Sequence, residues 1–316
     1  MLAIQFSKYG APGVLQPVDL PAPRPGSGEV LIKVAAAGVN YADIWQRKGS
    51  GPRPVPLPYV PGYEVAGTIA AVGPGVPPAR VGQRVMALLA SGGYAAYVVA
   101  PAAQALALPA ELGYAQATAL LSQGPTAVGL LNTGEYASVL VLAAAGGVGS
   151  LLVQVAKNRG QRVIAAVGSD AKKAAAQASG ADAVVSYAAA DWVAQVRAAT
   201  GGLGVAASFD AVGGPVGAAA LQALAPGGTA VVYSAASGEP TTLAAQQLIG
   251  HMQAVRGYTL FGEMDRLGEY LAELLGYFRA GRLQLPVQAY PLAEVQAAQR
   301  ALEARQTQGK VVLLFA

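Results

Sequence analysis

The sequence predicts an α/β protein in which a doubly wound parallel sheet domain is inserted into a β-rich, partly closed barrel domain. Residues 1–120 contain short alternating apolar runs separated by turn residues, which is typical of a barrel. From about residue 115, helical and strand patterns alternate, as a parallel sheet covered by helices requires. The alternation stops near residue 261, so we expect the tail to return to the first domain. The predicted domains are 1–121 with 261–316, and 122–260.

The amino-acid composition limits which classes of function are expected for this chain. The chain has 316 residues, of which 53% are hydrophobic and 12% charged, so it is globular without a disordered tail. The net charge of +4 is modest and no basic cluster exceeds Lys172-Lys173, so nucleic acid is not an expected partner. Residues 136–156 carry no charge, but their glycines and β-type run favour a buried strand and helix over a membrane span. No signal peptide is predicted, which makes a cytoplasmic location the expectation.

Zero cysteines and one histidine exclude more than the charge does. A disulfide, a thiolate zinc site, an iron–sulfur cluster and a cysteine nucleophile are all impossible. A Ser-His-Asp triad would need His251, which follows an amphipathic segment where a surface or packing residue is expected. No cluster of Asp and Glu suggests a metal site. Hydride chemistry on an organic cofactor therefore fits this composition best.

The first part of the chain contains several short strand patterns and one helix. The helix is predicted at Asn40–Lys48. Loops are predicted at Pro17–Gly28 and at Gly49–Pro61, which are rich in proline. The predicted strands are Leu2–Phe6, Glu29–Gly38, Val65–Val72, Arg84–Leu89 and Ala95–Ala100.

The second part alternates between helices and strands. A helical segment, Ala115–Thr133, is interrupted at Gly124-Pro125. The predicted strands are Val139–Leu142, Gln161–Val167, Ala183–Ser186, Val205–Ala211, Thr229–Ser234 and Ala254–Leu260. The tail holds helices at Arg266–Ala280 and Leu292–Arg305 and a final strand, Lys310–Phe315.

A glycine-rich turn between the first of these strands and the helix after it predicts a dinucleotide site. Ala144-Ala-Gly146-Gly-Val-Gly149 fits the phosphate-binding fingerprint, with Ala in the first glycine position. Gly146 would let the backbone approach the phosphates, and Gly149 would let the helix pack closely on the strand. A tight turn without a ligand is the alternative interpretation of this stretch alone.

The end of the second strand favours NADP over NAD. In NAD-binding domains an acidic residue at this point accepts a hydrogen bond from the ribose 2′-hydroxyl. Here that position is Gly168, and Ser169 and Lys172 follow it. A neutral turn beside cations suits a 2′-phosphate. Asp170 is close enough to be the missing acid, and the lysines can be solvated helix charges, so this alternative stays open.

Eight segments spread over essentially the whole chain carry a resemblance to a known family. The segments are Gly28–Val34, Gly38–Asp43, Pro61–Gly67, Gly82–Val85, Ala143–Gly149, Val167–Ser169, Phe209–Gly213 and Gly309–Leu313. Together they resemble the medium-chain dehydrogenase/reductase superfamily, specifically its zinc-free NADPH:quinone oxidoreductase (zeta-crystallin-like) branch. The resemblance implies a GroES-like barrel domain joined to a Rossmann domain, with NADPH and the active site in the cleft between them. Zinc-dependent members place a cysteine where this chain has Asn40 and a histidine where it has Tyr63, so no metal is implied.

The resemblance also implies site residues. Asn40 and Thr126 would lie near the nicotinamide and position it. The acceptor pocket would include Tyr41, Trp45 and Tyr63, although relatives often carry tyrosines where this chain has Trp45 and Pro52. The cofactor would be bound by Gly146, Gly147 and Val148 at the pyrophosphate, Gly168, Ser169 and Lys172 at the 2′-phosphate, Tyr187 at the adenosine, and Tyr233 and Ser234 towards the nicotinamide. Taken singly, Asn40 can instead be a helix cap, and Tyr187 and Tyr233 ordinary aromatics at strand ends.

The implied function is hydride transfer from NADPH to a quinone acceptor, for which no protein acid is named. Two alternatives remain open: reduction of an activated C=C bond in a 2-alkenal, enone or enoyl thioester, and an NADPH-binding sensor or RNA-binding protein with little turnover. The apolar strand Ala254–Leu260 at the predicted sheet edge indicates a homodimer.

Overall fold

The computed structural model describes residues 1–51 and 54–315, so Pro52 lies outside the described residues. Its strands are β1 (Leu2–Gln5), β2 (Gln16–Asp19), β3 (Glu29–Val39), β4 (Glu64–Val72), β5 (Arg84–Leu88), β6 (Tyr97–Pro101), β7 (Leu106–Ala107), β8 (Ser138–Leu142), β9 (Arg162–Val167), β10 (Ala183–Ser186), β11 (Val205–Asp210), β12 (Leu224–Val232), β13 (Ala254–Gly257), β14 (Val287–Pro291) and β15 (Lys310–Leu314). Its helices are α1 (Tyr41–Lys48), α2 (Tyr114–Leu121), α3 (Gln123–Leu131), α4 (Gly147–Asn158), α5 (Lys173–Ala178), α6 (Trp192–Ala199), α7 (Gly214–Ala220), α8 (Gln246–Ile249), α9 (Leu267–Arg279) and α10 (Val295–Glu303). Contacts divide the chain into two compact units, Met1–Ser122 with Pro286–Ala316, and Gln123–Leu285.

The first unit is built on a seven-stranded sheet. Its strand order is β14-β15-β3-β4-β5-β7, and β6 also pairs with β3. The pairings are antiparallel except for β14 with β15. The long strand β3 lies at the centre because its alternating apolar residues, such as Val30 and Ile32, are fully buried in the core of this unit.

Two edge elements differ from the sequence prediction. Residues 16–19, part of which was predicted as loop, form β2 and pair antiparallel with β1. The pattern also missed β14, which is half-buried and pairs in parallel with β15. Both strands contain proline, which edge strands tolerate because one side of the ladder is unpaired.

A buried arginine ties α1 to α10 within the first unit. Arg47 is fully buried, and its Nε donates a hydrogen bond of 2.7 Å to the Gln299 side chain. Its other nitrogens reach the Gly10 carbonyl at 2.5 Å and the Glu303 carboxylate at 2.6 Å. Each of the three guanidinium nitrogens thus has a hydrogen-bond partner, as a buried charge requires.

The second unit is a six-stranded parallel sheet, which confirms the predicted doubly wound architecture. The strand order is β10-β9-β8-β11-β12-β13, or 3-2-1-4-5-6 when counted from β8. The central strand β8 is apolar and buried from Val139 to Leu142 because helices cover both faces of such a sheet. No helix among residues 1–51 and 54–315 is long and apolar enough to cross a membrane.

The division between the units falls later in the chain than residue 261. The helix α9 packs on α3, and the Arg159 guanidinium forms an ion pair of 2.9 Å with Glu273 of α9. The apolar stripe of α9, with Tyr270, Leu271 and Leu274 buried, therefore belongs to the second unit. Only from Pro286 onward does the chain return to the first unit.

Candidate functional site

The carboxyl ends of the parallel strands bring the predicted cofactor residues of the second unit to one edge. The Ala144 N–H donates to the Ala166 carbonyl at the end of β9 at 3.1 Å, and the Tyr187 N–H donates to Val167 at 2.9 Å. The Tyr233 N–H donates to the Asp210 carbonyl at 3.0 Å. These bonds align the turns after five neighbouring strands. Ligands of open α/β sheets bind at this edge.

The glycine-rich turn after β8 forms an open helix N-terminus. Gly146 is the N-cap of α4, and Gly147 and Val148 occupy its first turn, where backbone N–H groups have no intrahelical partners. All three are partly exposed. A Cβ on Gly149 would lie 2.4 Å from the Ala143 carbonyl oxygen, so only glycine lets the helix approach the turn this closely. The geometry of the turn therefore fits the binding of an anion at the start of α4.

Sequence reasoning missed the strain in this turn. Ala143 has a φ of 52°, in the left-handed region that non-glycine residues seldom adopt. Such a conformation costs about 1–3 kcal/mol and persists where the surroundings hold it in place. Ala143 gave no signal, because nothing about an alanine marks a left-handed backbone.

The turn after β9 brings Ser169 and Lys172 together. Ser169 precedes a single 3₁₀ turn, Asp170–Lys172, and its carbonyl accepts a hydrogen bond of 3.1 Å from the Lys172 N–H. Asp170, the alternative ribose acid, is exposed and forms an ion pair of 2.8 Å with Lys173. Gly168 is exposed beside Tyr187: a Cβ there would lie 3.0 Å from the tyrosine hydroxyl.

A buried phenol lies at the end of β12, where Tyr233 and Ser234 follow the strand. The Tyr233 hydroxyl is buried and has no hydrogen-bond partner among the described residues. Burial, with the Asp210 charge nearby, raises the pKa of this hydroxyl above its ordinary value, so it keeps its proton. It is therefore a protonated phenol that is enclosed by the protein beside the sheet edge.

Asp210, at the end of β11, is a further functional candidate that the sequence did not single out. Its Oδ1 accepts from the backbone N–H groups of Val212 and Gly213 at 2.7 and 2.9 Å. Its Oδ2 accepts from the Thr241 hydroxyl at 2.5 Å. The carboxylate thereby fixes the loop that follows β11 at the same sheet edge. The signal was an acid directly after the apolar residues of a buried strand.

Thr126 lies in α3 and is partly exposed. The helix packs on α4 and α9 within the second unit. Its part at the nicotinamide stays a prediction.

In the first unit, Asn40 lies in a buried polar cluster with Asp43, Glu64, Tyr94 and Lys310. The Asn40 Nδ2 donates to Glu64 Oε1 at 2.6 Å, and its Oδ1 accepts from Lys310 Nζ at 2.8 Å. Lys310 also forms an ion pair with Glu64 and donates to the Val39 carbonyl at 3.2 Å. We call Asn40, Glu64 and Lys310 the Asn40 cluster. Asn40 also caps α1, since its N–H donates to Asp43 at 2.8 Å.

Burial sets the protonation behaviour around the cluster. It raises the pKa of Asp43 to about 6, and hydrogen bonds from Asn40 and Tyr94 partly oppose the shift. Burial lowers the pKa of Lys310, while the adjacent Glu64 carboxylate opposes the shift. Sequence reasoning named Asn40 alone. The other two members of the cluster, Glu64 and Lys310, could have been suspected because each is a single charged residue at the start of an apolar strand.

The three aromatic candidates of the first unit are partly buried. Tyr41 and Trp45 lie on α1 with their rings edge to face, 5.7 Å between centroids. Burial raises the pKa of the Tyr41 hydroxyl, and burial with the Glu64 charge raises that of Tyr63 well above its ordinary value. Both phenols therefore remain protonated and are weak acids.

Comparisons with known proteins agree with this architecture. Residues 26–110 match the alcohol dehydrogenase GroES-like domain family, and residues 147–275 match the zinc-binding dehydrogenase family. A probable quinone oxidoreductase of Schizosaccharomyces pombe is 36% identical, over 99% of this chain and 97% of its own length. A 2-haloacrylate reductase of a Burkholderia species is 32% identical, over 99% of both chains. The crystal structure of Escherichia coli quinone oxidoreductase complexed with NADPH superimposes with a TM-score of 0.93, at 33% identity and full coverage of both chains.

The chain therefore belongs to the medium-chain dehydrogenase/reductase superfamily, and within it to the quinone oxidoreductase (zeta-crystallin-like) branch. The name of one matching family refers to zinc, which the residues of this chain do not fit. The chain has no cysteine, and no three His, Cys, Asp or Glu side chains group into a potential metal site in the part of the chain that the structure describes. Asn40 and Tyr63 are poor zinc ligands.

Proposed function

We propose that this protein is an NADPH-dependent oxidoreductase that transfers hydride to a quinone acceptor without a metal ion. The observation that carries the proposal is the open, glycine-capped helix N-terminus at the carboxyl edge of a parallel sheet. The whole-chain similarity to an NADPH-bound quinone oxidoreductase supports both cofactor and acceptor.

The residues at the sheet edge fit a dinucleotide. Gly147 and Val148 present backbone N–H groups to the pyrophosphate, while the Gly146 N–H donates to the Ala143 carbonyl at 2.9 Å and the absence of a side chain at Gly146 lets the backbone approach the phosphates. Ser169 and Lys172 offer a hydroxyl and a cation to the 2′-phosphate, and Asp170 is neutralised by Lys173, so that its charge repels a phosphate less.

The remaining residues of the edge contact the cofactor's two ends. Tyr187 borders the adenosine. Tyr233 and Ser234, which follow β12 at the same edge, would lie towards the nicotinamide end.

The bound cofactor supplies the hydride, so the protein's task is to position and to exclude water. Asn40 and Thr126 would orient the reacting groups. Tyr41 and Trp45, whose rings lie edge to face, would border a flat acceptor, together with Tyr63. The phenols keep their protons at neutral pH and act as neutral hydrogen-bond donors. Water can protonate the reduced quinone oxygens, so no strong protein acid is needed.

Reduction of activated C=C bonds is the second candidate, favoured by the similarity to a 2-haloacrylate reductase. The test is NADPH oxidation with 9,10-phenanthrenequinone and with 2-alkenals under the same conditions. A higher kcat/KM for the quinone supports the proposal, and a higher value for alkenals favours the alternative. A protein that quenches NADPH fluorescence but oxidises it with neither acceptor would be a binding protein with little turnover.

We also propose that the protein is a homodimer paired along β13, with no membrane or nucleic-acid partner, and that it works in the cytoplasm. All four residues of β13, the edge strand of its sheet, are exposed. Exposed apolar side chains lie nearby, with Ile249, Met252 and Phe261 each at least 75% accessible. A second copy would cover this edge and these side chains.

Sedimentation at micromolar concentration tests the dimer. We expect a dimeric mass for the wild type and a monomeric mass for Met252→Lys/Val255→Lys. A monomeric wild type would contradict the proposal.

A further inference from the structure

The charges of the Asn40 cluster have no role in hydride transfer as proposed so far. Glu64 is fully buried and Lys310 is 2% exposed, although buried charges are costly even when paired. Both side chains contact the carboxamide of Asn40. This arrangement suggests that the pair acts on Asn40.

Hydrogen-bond chemistry allows the Asn40 carboxamide only one orientation between these partners. An ammonium can only donate, so Lys310 Nζ must face the carbonyl oxygen Oδ1, at 2.8 Å. A carboxylate can only accept, so Glu64 Oε1 must face the amide nitrogen Nδ2, at 2.6 Å. A carboxamide flipped by 180° would set donor against donor and acceptor against acceptor.

The backbone is arranged to make this contact possible. Glu64 precedes the residues of β4 that pair with β3, and its side chain passes over Gly38 of β3. A Cβ on Gly38 would lie 2.1 Å from Glu64 Oε1, so glycine leaves the space that the carboxylate occupies. Lys310 begins β15, which pairs antiparallel with β3 so that Val311 faces Val39, the residue before Asn40. Three strands thus converge on one amide.

We propose that Glu64 and Lys310 are positioning residues that hold the Asn40 carboxamide in a single orientation for the NADPH-dependent reaction. This rests on the proposed function, in which Asn40 orients the reacting groups. A carboxamide fixed before the cofactor binds needs no reorganisation during hydride transfer. The competing explanation is a buried ion pair that only stabilises the fold.

The decisive variant is Glu64→Gln/Lys310→Met, which removes both charges and leaves no unpaired buried ion. The introduced glutamine can face either end of the carboxamide, and the introduced methionine bonds to neither, so the orientation is no longer fixed. Asn40→Ala removes the carboxamide itself. Lys157→Met is the control for a change of charge away from Asn40, because Lys157 forms a partly exposed ion pair with Asp182 in the second unit.

The first measurement is the side-chain ¹⁵N–¹H₂ NMR signal of Asn40 in the free protein, assigned by its disappearance in Asn40→Ala. We expect one sharp pair of signals in the wild type and in Lys157→Met. In Glu64→Gln/Lys310→Met the pair should shift and broaden. An unchanged pair of Asn40 signals in Glu64→Gln/Lys310→Met would overturn the proposal. This measurement does not depend on catalytic turnover.

The second measurement is kinetic, with 9,10-phenanthrenequinone. We expect Glu64→Gln/Lys310→Met to lower kcat by roughly ten-fold or more, since small misplacements of positioning groups can cost up to 10²-fold. NADPH affinity, read by fluorescence, should change less than about two-fold because the pyrophosphate site is unaltered. The triple variant that adds Asn40→Ala should have the same kcat as Asn40→Ala alone, since the pair acts through that residue.

The positioning role would be overturned if the loss of kcat in the triple variant were the product of the losses in Glu64→Gln/Lys310→Met and in Asn40→Ala. A wild-type kcat in Glu64→Gln/Lys310→Met would overturn it as well. A wild type that turns over neither quinone nor alkenal would refute the proposed function instead. The NMR result would then still decide whether the pair orients Asn40.

Discussion

Substituting Gly149 by alanine tests whether close packing of α4 on the glycine turn creates the cofactor site. The new Cβ would lie 2.4 Å from the Ala143 carbonyl oxygen and 2.8 Å from the Ala144 Cα. Both are backbone atoms, and Ala143 is already in a left-handed conformation, so the helix itself must move. Overpacking costs about 1–3 kcal/mol and the alanine returns about 0.5–1 kcal/mol of helix propensity, which leaves a net loss of about 1–2 kcal/mol.

The same substitution, Gly149→Ala, should also weaken the binding of NADPH. The shift moves the N–H groups of Gly147 and Val148 away from the pyrophosphate position, and a loss of about 1.4 kcal/mol raises the Kd ten-fold. Urea unfolding and NADPH fluorescence titration measure the two effects.

Gly276→Ala is the control, because Gly276 is exposed in α9 and a Cβ there meets nothing within 4 Å. We expect this control to gain about 0.5–1 kcal/mol of stability and to bind NADPH as the wild type does. If Gly149→Ala matches Gly276→Ala in both measurements, close packing at the turn is not what shapes the site.

Three further outcomes are expected. Because the pKa of Asp43 is raised from 3.8 to about 6, its contribution to stability is fully present below pH 4 and is lost as the pH rises through 6. The free energy of unfolding should fall by about 3 kcal/mol in total over this range. Asp43→Asn should remove that fall, which urea unfolding measured between pH 4 and 7 can show. Arg47→Met leaves the buried Gln299 acceptor without its donor, whereas Glu303 keeps its ion pair with Lys48. The free energy of unfolding should therefore drop by about 1–3 kcal/mol, and an unchanged value would contradict the buried contacts. Lys172→Ala should weaken NADPH binding about ten-fold and NADH binding much less, since a charge-assisted bond contributes about 1.5–3 kcal/mol; equal losses for both cofactors would contradict the assignment of the 2′-phosphate site.

The doubly wound sheet could be predicted because its signals are local. Each buried strand, such as Val139–Leu142, is a short apolar run followed by a turn and a helical pattern. The edge strands β2 and β14 were missed because they are short, polar and contain proline, so their pairing depends on neighbours that the local sequence does not show. The assignment of α9 to the second unit could not be predicted for the same reason, since an apolar stripe on a helix does not show which element it packs against.

The candidate site was predictable where a motif implies backbone geometry, and not where distant residues meet. The glycine turn could be recognised from the sequence, because the close approach of the helix to the turn requires glycine at position 149. The Asn40 cluster could not be derived, because Glu64 and Lys310 are 246 residues apart and only the register of β15 against β3 brings them together. Asp210 is an intermediate case, since an acid after a buried strand is visible but its bond to Thr241 is not.

Strand β15 lies between β14 and β3 in the first sheet, which affects the order in which the two units can fold during synthesis on the ribosome. The residues of the second unit are contiguous, so that unit can fold before residues 310–314 are made. The first unit must wait, because β3 lacks one of its partners and Glu64 lacks its cation until residues 310–314 emerge. Loss of those few residues would expose an edge of β3 and leave the Glu64 carboxylate buried without a counterion. Strand β15 thus completes a sheet whose other main strands are made much earlier.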